Sequence, residues 1–473
     1  MKTESLDIKN LDLYLEKTLS IVKDYIQGIS NDPVYANIER DSLNDLFEYK
    51  LPIQGTDMDS LFTDIERNVI PYCTKIGHPR FLSWIVTSPS PAGTIGEIIN
   101  LVLSQAPFLY KAGPVATILE DIIITWFNEM FGYSKDGGGV LVSGGTMGTL
   151  TALTIARQAF VEDAMEEGIQ NLEKPLVVYT SDIAHVSVDK AVGVIGIGSQ
   201  NLRKIPTDSN YRIRIDLLSQ QVEKDIKDGL KPFCVVGQVG TSITGAVDSL
   251  DQLADFCYDN ELWFHVDAAF GGGAILTEQG KALMNGIERA DSISTDPHKW
   301  FFIPVEAGCV LVKDRKHIYN TFKTTPELFD PEKRYDYINY GIQSTRMSRA
   351  FKIWFAFRYY GLEKLSRIIE QNLELTKYFK EKLDNNPNFE VSSPIMLSAV
   401  CFQYIPKKKL DIKEHNKLQL QLLELIEQSG VAFLAPANIG EKIVLRANFS
   451  NHRTTFEDIV ILMDLMDKLV EQL

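Results

Sequence analysis

The sequence predicts an α/β protein, with a mostly parallel sheet in a large domain and a smaller α+β domain at the C-terminal end. Two patterns support this prediction. Between about residues 76 and 350, short apolar runs alternate with helical stretches, and near-continuous apolar strands are typical of a sheet covered by helices on both faces. After residue 350, a long helical stretch leads into shorter strands, which favours a separate mixed domain.

The predicted large domain, residues 76–350, has five strand candidates, at 139–143, 175–180, 233–237, 262–266 and 309–313. Helices are predicted between them at 146–160, 186–192, 216–228 and 249–259. Strands that alternate with helices in this way form βαβ units, whose strands run parallel. The predicted small domain, residues 351–473, has a helix from about 346 to 383, strands at 396–402 and 442–446, and a last helix from 454.

Residues 1–75 are predicted to form an N-terminal helical arm. Apolar residues recur there at spacings of three and four and form one stripe along a helix, at Leu15, Leu19, Val22, Ile26 and Ile29. A short helix has little core of its own, so the stripe needs a cover. A partner subunit or the body of the same chain would provide it.

Composition argues against several classes of partner. The 473-residue chain has a formal net charge of −15, which disfavours a surface for nucleic acid or anionic lipid. No apolar stretch reaches about 18 residues, so we expect no membrane span. The five cysteines form no C-x-x-C pair, which is typical of free thiols in a reducing compartment and not of a zinc site. We therefore expect a cytoplasmic protein without a metal.

Lys299 and Asp267 are the most informative residues. Lys299 lies in the run DPHKW at 296–300, and Asp267 ends an apolar strand candidate about thirty residues earlier. A lysine amine can hold pyridoxal phosphate as a Schiff base, and a carboxylate can keep the pyridine nitrogen protonated. Alone, Asp267 would also fit a helix cap, and most lysines are surface residues. Together the two residues favour a pyridoxal phosphate site.

Two further features follow predicted strands. The turn SGGTMG at 143–148 joins a strand to a helix, where backbone N–H groups and the helix N-terminus would bind a phosphate. Such turns are also common without a ligand. His185 follows the strand at 175–180, where ligand-facing residues are expected. Its imidazole would stack on the pyridine ring, or else serve as a helix cap or an interior histidine.

These motifs resemble those of a known family. GHPRF at 77–81, GGGV at 137–140, SDIAH at 181–185, GTS at 240–242, HVDAA at 265–269, DPHKW at 296–300, the helix at 346–354 and RYYG at 358–361 are similar to the group II pyridoxal-phosphate decarboxylases. These enzymes act on aromatic amino acids, glutamate, histidine or diaminobutyrate. The resemblance implies fold type I, the fold of aspartate aminotransferase. It also implies a homodimer with its active sites at the interface, which decarboxylates an L-amino acid, with an aromatic substrate somewhat preferred.

The resemblance also implies residue roles. Lys299 forms the Schiff base, Asp267 pairs with the pyridine nitrogen, and His185 stacks on the ring face opposite Ala269. Residues expected to bind the phosphate or orient the ring are Gly145, Thr146, Ser242, Asp296 and His298, with Ser344 and Thr345 supplied by the partner subunit. The substrate wall is expected to comprise Trp84, Thr87 and the partner subunit's Phe108. Trp84 and Phe108 would also fit an ordinary hydrophobic core.

One position departs from the family pattern. The family carries a loop tyrosine that protonates the substrate carbon after decarboxylation, and the aligned position here is Leu328, which has no proton to donate. Tyr335, Tyr337 or Tyr340 would serve if the alignment shifts. Relatives that lack this hydroxyl resemble aldehyde synthases, which decarboxylate and oxidatively deaminate. An aminotransferase or a non-catalytic protein of the same fold is a more remote alternative, because no arginine aligns as a carboxylate clamp and the three catalytic candidates are all present.

Overall fold

The structure is a computed structural model that describes residues 6–47, 50–86, 88–323 and 336–473. Its strands are β1 (Gly138–Val142), β2 (Leu176–Ser181), β3 (Leu202–Ile205), β4 (Lys231–Gln238), β5 (Trp263–Asp267), β6 (Ser292–Thr295), β7 (Gly308–Val312), β8 (Phe389–Val391), β9 (Ala399–Tyr404), β10 (Ala435–Ile439) and β11 (Lys442–Asn448). Within the described ranges they form a seven-stranded sheet, in the order β1-β7-β6-β5-β4-β2-β3, and a four-stranded sheet, in the order β10-β11-β9-β8.

The helices connect and cover these sheets. They are α1 (Leu11–Gly28), α2 (Arg40–Asn44), α3 (Met58–Asp64), α4 (Pro91–Leu103), α5 (Pro114–Met130), α6 (Gly145–Phe160), α7 (Ser187–Val194), α8 (Ile215–Lys227), α9 (Leu250–Asp259), α10 (Glu278–Leu283), α11 (Arg315–Phe322), α12 (Arg349–Tyr360), α13 (Leu362–Asp384), α14 (Ile412–Gln428) and α15 (Phe456–Val470).

The seven-stranded sheet confirms the predicted α/β class. β7 runs antiparallel to β1 and β6, and the other neighbouring pairs are parallel. Neighbouring residues of β4 show that both faces are covered. Val235 lies in the apolar cluster that contains Leu253 of α9, whereas Val236 lies in the cluster that contains Leu153 of α6.

Two strands of this sheet, β3 and β6, were not predicted. β6 has the sequence SIST, and its polar residues are not typical of a buried strand. The strand is nevertheless buried along its whole length. Both of its serine hydroxyl groups have partners inside the protein, since Trp263 Nε1 donates to Ser292 Oγ at 2.9 Å and Ser294 Oγ lies 3.3 Å from His265 Nε2. Buried polar groups are tolerated when they have such partners.

The four-stranded sheet lies in the C-terminal region, where its strands are antiparallel. Its core includes Phe379, Phe402 and Phe449, packed between α13 and the sheet. The predicted single helix from 346 to 383 is wrong. α12 ends at Tyr360 and α13 begins at Leu362, because Gly361 takes a φ of +71°, a conformation that suits glycine and ends a regular helix. The domain boundaries at residues 75 and 350 stay predictions.

The N-terminal arm contains the predicted helix as α1, which has no buried residue. Leu15 and Leu19 of the predicted stripe are exposed, and Ile29, just beyond the helix, is buried. The described part of the chain therefore leaves Leu15 and Leu19 of the stripe uncovered. In the ranges that the structure describes, every helix is too short or too polar to cross a membrane.

Candidate active site

A cavity of about 380 Å³ lies where β1, β2, β4, β5 and β6 end. The carboxyl edge of an open parallel sheet is where ligands bind in such folds. The predicted residues that line the cavity are Gly145, Thr146, His185, Ser242, Asp267, Ala269, Asp296, His298 and Lys299. Folding thus brings together residues that follow five separate strands.

Lys299 lies in the turn that follows β6. Its backbone N–H donates to the Asp296 carbonyl oxygen at 2.8 Å, and its Nζ atom lies 2.9 Å from Asp296 Oδ2. Asp296 is only 2% exposed. The ion pair therefore holds the lysine amine at the cavity wall, where it can react with an aldehyde.

His298 borders the same carboxylate. Its Nε2 atom lies 3.9 Å from Asp296 Oδ2, and its Nδ1 atom lies 2.7 Å from the carbonyl oxygen of Ala307. Burial lowers the pKa of the His298 imidazole. The contact with Ala307 therefore fixes the ring, and the lowered pKa favours its neutral form, which can act as a hydrogen-bonding group in the cavity.

Asp267 is the last residue of β5 and is 7% exposed. The backbone N–H of Ala269 donates to its Oδ1 atom at 3.0 Å. Burial raises the pKa of the Asp267 carboxyl, against the opposing effects of the Ala269 hydrogen bond and Lys299. A buried carboxylate of this kind needs a cationic partner, and a protonated pyridine nitrogen is such a cation.

His185 lies between β2 and α7. The backbone N–H of Ser187 donates to His185 Nδ1 at 3.2 Å, and Ser187 Oγ lies 2.9 Å from the same nitrogen. Burial and the nearby Lys299 lower the pKa of the imidazole, while Asp267 opposes that shift. Since Nδ1 accepts from the backbone, the neutral ring carries its proton on Nε2.

The glycine turn at 143–146 leads from β1 into α6. A Cβ atom on Gly145 would lie 2.9 Å from Asp296 Oδ2 and 3.2 Å from Ala269 Cβ, and one on Gly144 would lie 3.1 Å from His298 Cε1. Side chains would therefore fill this corner of the cavity. Glycines keep the backbone N–H groups at the start of α6 accessible, which is what a phosphate requires.

Several residues of the cavity were not predicted. Ile85, Ser143, Gln238 and Glu306 also line it. Gln238 ends β4 in register with Asp267, and Ser143 directly follows β1. Both could have been predicted, because ligand-facing residues are expected at the carboxyl ends of such strands. Ile85 and Glu306 lie outside strands and carry no such signal. Arg446 of β11 donates to the carbonyl oxygen of Ser242, which links the small domain to the cavity.

Four described residues that were expected near the substrate or the phosphate do not line the cavity within one chain, namely Trp84, Phe108, Ser344 and Thr345. Trp84 is 53% exposed, and its ring lies 5.4 Å from that of Phe433. Phe108 is half-buried, and its carbonyl oxygen accepts from the Ile338 N–H at 3.0 Å. Ser344 and Thr345 are exposed. Thr87, Leu328 and Tyr335 lie outside the described residues.

Comparison with known proteins places the chain in a family. The pyridoxal-dependent decarboxylase conserved domain matches residues 41–405. The aromatic-L-amino-acid decarboxylase of Bacillus atrophaeus is 34% identical over 461 residues, covering 96% of this chain and 94% of the relative. A phenylacetaldehyde synthase of Arabidopsis thaliana is 31% identical over 454 residues, covering 93% and 92%. The crystal structure of Catharanthus roseus tryptophan decarboxylase in complex with L-tryptophan superposes with a TM-score of 0.91 at 26% identity, covering 100% of both chains.

The chain therefore belongs to the pyridoxal-dependent decarboxylase family, and its fold is that of the fold type I enzymes. It is an amino-acid decarboxylase that uses pyridoxal phosphate, as predicted. The cavity fits this cofactor on its own chemistry. Lys299 offers an amine, Asp267 a buried carboxylate that needs a cation, and Gly145 an open helix N-terminus for a phosphate.

Proposed function

We propose that this enzyme decarboxylates an aromatic L-amino acid to the amine and carbon dioxide, with Lys299, Asp267 and His185 as its catalytic residues. The observation that carries the proposal is that one cavity contains both the Lys299 amine and the buried Asp267 carboxylate. The aromatic preference is supported by the relatives, since the Bacillus relative acts on aromatic amino acids and the Catharanthus neighbour binds L-tryptophan.

Each catalytic residue would act on a different edge of the cofactor. When bound, pyridoxal phosphate supplies a ring that accepts the electron pair released as carbon dioxide leaves. Asp267 would hold a proton on the ring nitrogen through a charge-assisted hydrogen bond in a buried site. Lys299 would hold the aldehyde carbon of the cofactor through its amine. His185 would pack on one ring face, and the small side chain of Ala269 would leave room at the other.

The remaining cavity residues would fix the cofactor in place. Gly145 and Thr146, at the N-terminus of α6, would bind the phosphate together with His298. Ser242 would contact the ring edge. Asp296 cannot donate a hydrogen bond while ionised, so its contribution would be to orient Lys299, whose Nζ it contacts at 2.9 Å.

We propose a homodimer with its active sites at the interface. α4 and α5 expose a row of large apolar side chains, which includes Ile95, Ile98, Ile99, Leu101, Val102, Leu103, Val115 and Ile118. α1 adds Leu11, Leu15 and Leu19. Contiguous apolar patches of this kind usually mark an interaction surface. A second copy would cover them and bring Ser344, Thr345 and Phe108 towards the neighbouring cavity. Light scattering at several protein concentrations would test the dimer.

We also propose a cytoplasmic location. The described cysteines are free thiols, and Cys234, Cys257, Cys309 and Cys401 are buried. Unpaired thiols persist most readily in a reducing compartment.

A second candidate function is decarboxylation-dependent oxidative deamination to an aldehyde. Leu328 replaces the expected loop tyrosine, and the Arabidopsis relative is a phenylacetaldehyde synthase. Leu328 cannot return a proton to the substrate carbon, so dioxygen, as the oxidant, and water would convert the substrate to the aldehyde. The aldehyde would then appear together with peroxide and ammonia.

One experiment tests both functions. The purified protein with pyridoxal phosphate is incubated under air with a mixture of amino acids, and amines and aldehydes are measured by mass spectrometry. We expect products from aromatic amino acids. Leu328→Tyr should raise the ratio of amine to aldehyde. An unchanged ratio would mean that another residue already donates the proton, and products from non-aromatic amino acids alone would contradict the proposed substrate class.

A further inference from the structure

β1 is an edge strand, and side chains take the place of its missing neighbour. The strand pairs only with β7 in the described sheet. Glu120 Oε1 of α5 accepts from the Leu141 N–H at 2.9 Å, and Arg349 Nη1 of α12 lies 3.5 Å from the Leu141 carbonyl oxygen. Leu141 is fully buried, so its backbone groups need such partners. The end of β1 is therefore held in place by two charged side chains.

Glu120 is in turn fixed by Arg346. Two parallel contacts join them, Arg346 Nη1 to Glu120 Oε2 at 2.7 Å and Arg346 Nη2 to Glu120 Oε1 at 2.6 Å. Glu120 is completely buried and Arg346 is 8% exposed. The Arg346 guanidinium also lies 5.6 Å from the centre of the Tyr337 ring. A bidentate pair in a dry environment fixes the direction of the carboxylate as well as its charge.

The contacts of Glu120 and Arg349 with Leu141 lie next to the cofactor cavity. Leu141 lies two residues before Ser143, which begins the glycine turn that lines the cavity. Arg349 also contacts Glu306 Oε1 at 2.6 Å, and Glu306 lines the same cavity, next to the Ala307 that contacts the His298 ring. A shift at Leu141 would therefore be transmitted to the phosphate end of the site.

We propose that Glu120, oriented by Arg346, is a positioning residue for the cofactor. Its carboxylate fixes the end of β1 and thereby the turn at 143–146 that receives the phosphate. Neither residue lines the cavity. Their effect is on the geometry of the turn and not on the bond-making step.

The test separates this role from simple stability. Removing one member of a buried ion pair leaves an uncompensated charge, whereas replacing both often costs little. We therefore compare two uncharged double variants, Glu120→Gln/Arg346→Met and Glu120→Met/Arg346→Met. Only the glutamine keeps an acceptor for the Leu141 N–H. We expect Glu120→Met/Arg346→Met to bind pyridoxal phosphate about tenfold more weakly than Glu120→Gln/Arg346→Met, with a changed circular dichroism band of the bound cofactor.

The opposite edge of the sheet offers a matched control. There Arg203 of β3 contacts Asp225 Oδ1 at 2.9 Å, and Asp225 Oδ2 accepts from the Tyr179 hydroxyl at 2.9 Å. Arg203→Met/Asp225→Met should lower Tm without changing the cofactor Kd or its dichroism. The proposal is overturned if the two Glu120 double variants have equal cofactor affinities. It is also overturned if the control variant weakens cofactor binding as much as Glu120→Met/Arg346→Met does.

Discussion

The cofactor end of the cavity and the segment around Ile85, where we propose the substrate end, are built in different ways. At the cofactor end, Asp267 ends β5 and Asp296 follows β6, and they are 7% and 2% exposed. At the proposed substrate end, Ile85 lines the cavity and its neighbour Trp84 does not, and both lie in an irregular segment before α4. This segment is held by the small domain, since the Leu82 N–H donates to the Phe433 carbonyl at 2.9 Å and the Asn448 N–H donates to Leu82 at 2.8 Å.

Under the proposed function, this difference assigns reaction class and substrate choice to separate parts of the fold. Groups on a closely packed sheet keep their geometry because the whole core would have to move with them. A segment between two domains can change its side chains, or its position, at little cost to the core. We therefore expect changes at the cofactor end to reduce all reactions, and changes at the substrate end to redistribute activity among amino acids.

The largest effect is expected for Lys299→Ala. Without its amine the protein cannot hold the cofactor covalently, and turnover should fall by roughly 10⁴-fold or more for every substrate. Steady-state assays with several amino acids and the visible absorbance of the bound cofactor would measure this. Lys313→Ala, at an exposed lysine after β7, is the control and should keep both the activity and the visible absorbance of the bound cofactor. Substantial activity of Lys299→Ala would refute the proposed role.

Asp267→Asn should lower kcat by about 10²–10³-fold, because the ring nitrogen loses its charged partner. The same change should stabilise the cofactor-free protein. Burial raises the pKa of the Asp267 carboxyl, so the folded state binds this proton more tightly than the unfolded chain does. That contribution to stability is present at low pH and is lost as pH rises through the raised pKa. Asparagine does not ionise, so the difference in Tm should favour the variant at neutral pH and disappear in acid.

Gly145→Ala should weaken the binding of the cofactor with little loss of protein stability. The new Cβ atom would lie 2.9 Å from Asp296 Oδ2, although alanine is the better helix former by about 1 kcal/mol. We expect the Kd of pyridoxal phosphate to rise about tenfold. Gly193→Ala in α7 is the control, since no atom lies within 4 Å of its Cβ position. If both variants bind the cofactor equally well, the corner at Gly145 is wider than the structure indicates.

Sequence alone named nine of the residues that the structure brings together in one cavity. Asp267 and His185 follow strands that are recognisable because they are apolar, and the chemistry of Lys299 is specific. The strand β6 was missed although it precedes Lys299, because its serines and threonine are typical of a loop, and only the structure shows that the two serines have buried partners. The break at Gly361 was missed for a related reason: a glycine is compatible with a helix, and only its positive φ ends one.

The substrate end was much less predictable. Trp84 was expected at the substrate wall from resemblance alone, whereas Ile85 is the residue that lines the cavity. Whether Trp84 or Ile85 faces the cavity depends on the local backbone conformation. Trp84 takes a φ of +30°, and no sequence pattern predicts that value. The register of such a segment is fixed by its contacts with the small domain, which are distant in sequence.

The smallest effect, and the most selective one, is expected from Ile85→Ala. The change removes apolar surface at the substrate end, so kcat/KM for aromatic amino acids should fall about tenfold while the Kd of pyridoxal phosphate stays the same. Trp84→Ala is the matched comparison on the neighbouring residue. Because its ring is half exposed and packs on Phe433, we expect a lower Tm with kcat/KM changed by less than about threefold. If Trp84→Ala instead shifts the preference among amino acids and Ile85→Ala does not, then Trp84 faces the substrate in the assembled enzyme, and the partner subunit or the bound cofactor reorients this segment.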